Sequence, residues 1–111
     1  MAVIHAVKED YDQILKNERI VLVDFWATWC NPCRMLAPVI EQLSNKYNGK
    51  AAVVKVDIDE NPDLAAQYGI ESIPTVIIFE NGKEKERVVG LYPITHYEEI
   101  LKKCCKTGYK I

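Results

Sequence analysis

The chain has 111 residues, of which 49% are hydrophobic and 27% charged, and its formal net charge at pH 7 is -2. That length suits one core over residues 1–111, and the apolar content excludes a disordered chain, which needs fewer apolar residues and a larger charge imbalance. The charge gives no support for nucleic-acid binding, and no run of about eighteen apolar residues is present to cross a bilayer.

The expectation is therefore a soluble monomer with neither nucleic acid nor membrane as partner. The N-terminal stretch Met1–Leu15 has no basic region and no apolar segment long enough for a secretion signal. A reducing, cytoplasmic setting follows as the expected location. Four cysteines in such a setting point to catalysis or metal before structural disulfides.

In chain order, Tyr11, Ile14 and Leu15 share a face of a helix predicted over residues 10–17. The run Ile20–Trp26 is apolar almost throughout, as expected of a strand buried on both faces. Leu36, Ile40, Leu43 and Tyr47 recur at helical spacing, and Asn48-Gly49 ends that helix. Pro38 inside it should kink the helix by removing the backbone bond to Arg34. Residues 51–58 read as a second buried strand. Asn61-Pro62 opens a short helix, with proline where its missing N–H costs nothing.

Thr75–Phe79 and Arg87–Val89 flank Asn81-Gly82, a strong hairpin signal. A final helix carries Tyr97, Ile100, Leu101 and Cys104 on one side, with Lys102, Lys103, Lys106 and Lys110 suiting its negative end. The sum is an α/β fold in three layers, a mixed central sheet covered by helices on both faces.

Chemistry concentrates in Trp29-Cys30-Asn31-Pro32-Cys33, between the first buried strand and the helix after it. Residues three apart at a helix start share a face, so the two sulfurs can meet. The unpaired N–H groups of the first turn and the positive helix end favour a thiolate at Cys30. A free cysteine is only about 3% thiolate at neutral pH, and about 2 kcal/mol of differential stabilisation makes it roughly half thiolate. Cys30 is thus the expected nucleophile, and Cys33, deeper in the helix, the resolving thiol.

Two other readings use the same pair. Zinc would need a second chelating pair, but Cys104 and Cys105 are adjacent and His5 and His96 isolated, so no metal is expected. A purely structural disulfide would gain little across so short a span.

The chain resembles the thioredoxin family from about Tyr11 to Leu101. The matching pieces are residues 23–27, the Trp29–Cys33 segment, Ala37-Pro38, Gly69-Ile70, Ile73-Pro74-Thr75, Asn81-Gly82 and Val89-Gly90. The resemblance implies a thioredoxin-like fold and a thiol–disulfide oxidoreductase that reduces disulfides in proteins, with a thioredoxin reductase restoring its electrons. Acidified Cys-x-x-Cys thiols are a known property of this family, so the thiolate argument and the resemblance are not independent.

Position by position, the resemblance implies that Asp24 is the buried carboxylate taking the proton of Cys33 and Lys55 its neighbour. An acid inside an apolar strand should indeed be hard to ionise. It also implies a cis peptide at Ile73-Pro74, which would leave the Ile73 backbone free to pair with an extended substrate. Trp29, Ile73, Pro74, Val89 and Gly90 would form an apolar substrate surface, and Trp26 would pack beneath the site. No Gly-rich nucleotide loop is present, so no cofactor is expected.

Two departures stand out. Asn31 occupies a position where the common motif has glycine, and with Pro32 it should tune the reduction potential. The expected means is an amide donor beside the thiolate that makes the protein slightly more oxidising. Cys104 continues an apolar face and is expected to pack there with Cys105 at its edge, ahead of a regulatory redox pair or a dimer cross-link. An exported oxidase or isomerase, a structural subunit indifferent to its thiols, and a metal-binding domain remain as alternative functions.

Overall fold

The computed structural model describes residues 3–108. In chain order the elements are β1 (Ile4–His5), α1 (Lys8–Asn17), β2 (Ile20–Trp26), α2 (Asn31–Lys46), β3 (Ala52–Asp57), α3 (Pro62–Gln67), β4 (Thr75–Glu80), β5 (Lys83–Val89) and α4 (Ile94–Gly108). The strands form one sheet in the order β1-β3-β2-β4-β5. β1, β3 and β2 run parallel, whereas β4 is antiparallel to β2 and β5 to β4.

β2 lies in the middle of the sheet, and its residues from Ile20 to Phe25 are all buried. This is why its sequence is continuously apolar instead of alternating. Side chains on a strand point alternately to opposite faces. Ile20 and Leu22 join Val76, Ile78 and Val88 beneath Leu36, Ile40 and Leu43 of α2 and Tyr97 and Leu101 of α4. Val21, Val23 and Phe25 join Val54, Val56, Ile77 and Phe79 against Tyr11 of α1 and Leu64 of α3. Each face of the sheet therefore has its own apolar core and its own pair of helices, in the expected three layers.

Two details differ from the expectation. β1 has no counterpart in the sequence reading, since two exposed residues carry no periodic signal and are held by pairing with Val54 and Lys55. β5 begins four residues earlier than its apolar end, at Lys83, because its charged half lies at the sheet edge, where solvated side chains also discourage pairing with other chains. α2 is one helix that includes Pro38. The hairpin is as expected: Asn81 and Gly82 have φ of 54° and 80°, the positive values that a tight two-residue turn demands. Cys104 is buried in the core beneath α4, while the side chain of Cys105 lies outside what the structure describes.

Topology decides where function can sit. The C-terminal ends of β2 and β3, the start of β4 and the end of β5 all reach the same edge of the sheet, since Trp26 pairs with Asp57, Phe25 with Thr75, and Thr75 with Val89. Four connecting segments therefore converge beside the start of α2.

Leu22 is fully enclosed between the sheet and the α2–α4 layer. Leu22→Ala is expected to lower the unfolding free energy by about 3 kcal/mol, read from denaturant titration. A loss under about 1 kcal/mol would contradict close packing on that face.

Candidate active site

Cys30 is the N-cap of α2, and its Sγ accepts a hydrogen bond of 3.2 Å from the Cys33 backbone N–H. Ser, Thr, Asp and Asn satisfy a helix's free N–H groups with oxygen at this position; here sulfur does so. Pro32 in the first turn has no N–H of its own, so it leaves none unsatisfied. Cys30 and Cys33 are joined as a disulfide, and their Cα atoms, 5.2 Å apart, lie within the ordinary span of such a bond. Cys30 is 5% exposed and Cys33 1%, so what access there is belongs to the first cysteine.

The other connections close around the pair. The Ile73–Pro74 peptide is cis, and the Ile73 carbonyl lies 3.8 Å from the Cys30 Sγ. Pro74 is buried, and its carbonyl accepts from the Gly90 N–H at 2.8 Å. Gly90 has φ of 107°, which L side chains rarely adopt. Val89, beside Gly90, and Trp29, beside Cys30, are 49% and 64% exposed, so both present apolar surface to solvent. Trp26 packs with Ile58 and Ile73 against Ala27 and the two cysteines, as expected of a residue beneath the site.

Asp24 lies fully buried on β2, and neither carboxylate oxygen has a hydrogen-bond partner among the described residues. Loss of hydration pushes its pKa up to about 7, and the positive charge of Lys55 opposes part of that rise. Lys55 is the register partner of Asp24 on β3, but its ammonium sits over the Trp26 ring, 4.2 Å from the centroid. A cation–π contact thus positions the Lys55 ammonium.

Asn31 is the first residue of α2. Its side-chain oxygen accepts from Arg34, whose guanidinium also donates to the Thr28 carbonyl at 2.8 Å. The residue is exposed, and its side-chain amide N–H groups are not engaged by this contact.

Sequence reasoning missed Asp59, whose Oδ2 accepts from the Trp29 indole N–H at 2.8 Å. The Asp57 carboxylate in turn accepts from the Asp59 and Glu60 backbone N–H groups and orders that loop. Aspartates after a strand usually mark a turn, so nothing local distinguished Asp59.

No cluster of three or more His, Cys, Asp or Glu side chains placed to hold a metal occurs among the described residues. An open cleft of about 770 Å³ lies at the other end of β2, lined by residues such as Lys16, Arg19 and Asn81, and holds no cysteine.

The thioredoxin family model matches residues 2–103. The chain belongs to the thioredoxin family. Curated thioredoxins from Staphylococcus epidermidis and Staphylococcus aureus are each 47% identical to it over 103 residues, covering 93% of this chain and 98% of the relative. A solved mutant thioredoxin from Halobacterium salinarum NRC-1 superposes with a TM-score of 0.88 at 35% identity, covering 94% of this chain and 91% of that one. As a family member with a disulfide-capable Cys30–Cys33 pair, the protein is a thiol–disulfide oxidoreductase, a protein-disulfide reductase with a thioredoxin fold.

The Asp24 environment yields a pH prediction. Its pKa is near 3.8 in the unfolded chain and about 7 in the folded protein, so the folded form binds more protons between those values. Stability should fall as pH rises from about 4 to about 7, by on the order of 4 kcal/mol, and then level off. Asp24→Asn should stabilise the oxidised protein above pH 7, with the gain shrinking toward pH 4. Equal unfolding midpoints for both proteins at pH 9 would contradict a buried, poorly solvated carboxylate.

Proposed function

We propose that Cys30 is the attacking thiol, Cys33 the resolving thiol and Asp24 the group that takes the proton of Cys33. The observation that carries this reading is the Cys30 Sγ at the tip of α2, within hydrogen-bond reach of the Cys33 N–H. In the reduced protein the same N–H and the positive helix end favour negative charge on that sulfur.

The Cys30 thiolate attacks one sulfur of a substrate disulfide. A mixed disulfide forms, and the departing substrate sulfur takes up a proton. Cys33 passes its proton to ionised Asp24 and attacks the Cys30 sulfur, which releases the second substrate thiolate. The substrate gains two electrons and ends as two thiols; the protein loses two and ends as the Cys30–Cys33 disulfide. With a pKa near 7, Asp24 can both accept and return a proton at neutral pH. Lys55 keeps that value from rising further.

Trp29, Ile73, Pro74, Val89 and Gly90 are the proposed substrate surface. Its shallowness and apolar character suit extended segments of many proteins better than one shaped small molecule. The Ile73 backbone is the proposed partner for strand-like pairing with such a segment. Asn31 and Pro32 are assigned a tuning role, Asn31 by holding the Arg34 cation across the start of α2. The cycle requires a reductase to supply two electrons, for which the family implies a thioredoxin reductase. A monomeric protein working in the reducing cytoplasm fits this cycle.

Two substitutions test the assignment with insulin as the protein disulfide. Cys30→Ser should reduce turnover to the uncatalysed background. Cys33→Ser should instead accumulate a covalent mixed disulfide, visible as a mass increase that dithiothreitol reverses. Trapping through Cys33 in a Cys30→Ser protein, with none through Cys30, would reverse the roles.

A further inference from the structure

The segment after Gly90 carries aromatic residues that the redox cycle does not use. Tyr97, near the start of α4, is fully buried in the core, yet its hydroxyl reaches the Gly90 carbonyl at 3.4 Å. The Tyr92 backbone amide also acts on the phenol oxygen and restrains a pKa that burial pushes up to about 12. The phenol therefore stays protonated, and remains a donor, wherever thiols exchange.

Tyr92 completes the arrangement from outside. Its ring stacks on His96 with centroids 4.6 Å apart and planes 20° from parallel, and His96 meets Tyr97 edge-on at 5.9 Å. A Cβ at Gly90 would lie 3.7 Å from the edge of the Tyr92 ring, so that ring lies over the glycine. Gly90 is thus held at its N–H by Pro74 and at its carbonyl by Tyr97, with the Tyr92 ring close by on the side a Cβ would occupy.

A glycine with φ of 107° has many alternative conformations to lose, and a groove wall that must be ordered during binding weakens affinity. We propose that Tyr97, with the Tyr92–His96 stack, forms an aromatic clasp that presets the Gly90 peptide and so strengthens capture of protein disulfides. Tyr97 is a positioning residue: it acts through Gly90 and leaves the sulfur chemistry alone. The inference rests on the proposed groove, with extended protein segments as its ligands.

The test is single-turnover reduction of insulin by pre-reduced full-length protein over a range of insulin concentrations. It is run beside reduction of 5,5′-dithiobis(2-nitrobenzoate), a small disulfide that needs no groove. Tyr97→Phe keeps the ring and removes the hydroxyl. The half-saturating insulin concentration should rise about threefold, the scale of one lost hydrogen bond, with the limiting rate, small-disulfide rate and Cys30–Cys33 potential unchanged. His96→Ala, an exposed change that removes the support of Tyr92, should raise it about twofold and serves alone if Tyr97→Phe does not fold.

Unchanged half-saturation in the variants that fold, with or without lost stability, would overturn the clasp. So would a parallel fall in the small-disulfide rate, which would place the effect at the sulfur. Failure of the parent protein to reduce insulin while it reduces the small disulfide would instead overturn the groove reading itself.

Discussion

A sulfur atom stands where a helix ordinarily has a capping oxygen. Cys30 ends the turn that leaves β2, and its Sγ accepts from the Cys33 N–H at 3.2 Å, so one contact caps α2 and sets the environment of the reactive atom. Such a contact has value only if the two partners arrive together. β2 delivers Cys30 because it is the buried central strand, and α2 holds Cys33 against the sheet because Leu36, Ile40 and Leu43 fasten its apolar face. The core is therefore the means by which a loosely populated dipeptide geometry becomes the resting state.

The buried carboxylate is the cost of the same arrangement. Asp24 shares β2 with the residues that build the core, and no protein donor among the described residues compensates its lost hydration. A stability-driven sequence would place an apolar residue there. In the proposed cycle an ionisable group poised near neutrality takes the proton of Cys33, and Lys55, seated on Trp26, moderates the rise in its pKa. Local inconsistency with the strand pattern thus coincides with the proposed chemistry.

The long apolar runs of β2 and β4, the Asn81-Gly82 turn and the amphipathic α2 were legible because each encodes its structure locally. The Cys30–Cys33 site was legible for the same reason, since strand, turn and helix start are contiguous in the chain. β1 was not, because two residues hold their place only through β3. Nor were Asp59 on Trp29, Arg34 on Asn31, or Tyr97 on Gly90. The first links positions thirty residues apart, and the other two depend on side-chain rotamers that the residue pattern does not encode. The cis geometry before Pro74 followed from family resemblance, not from any pattern in the residues.

The four segments at the sheet edge come from separate parts of the chain, yet they serve a single atom. In the proposed cycle that atom reacts through negative charge at neutral pH, a physical state that can be read directly. The pH dependence of Cys30 carbamidomethylation by iodoacetamide in the reduced protein, followed by peptide mass analysis, gives its ionisation midpoint. The account predicts a midpoint at least about one pH unit below the ~8.5 of a free cysteine. The same midpoint as in the urea-unfolded chain would contradict it.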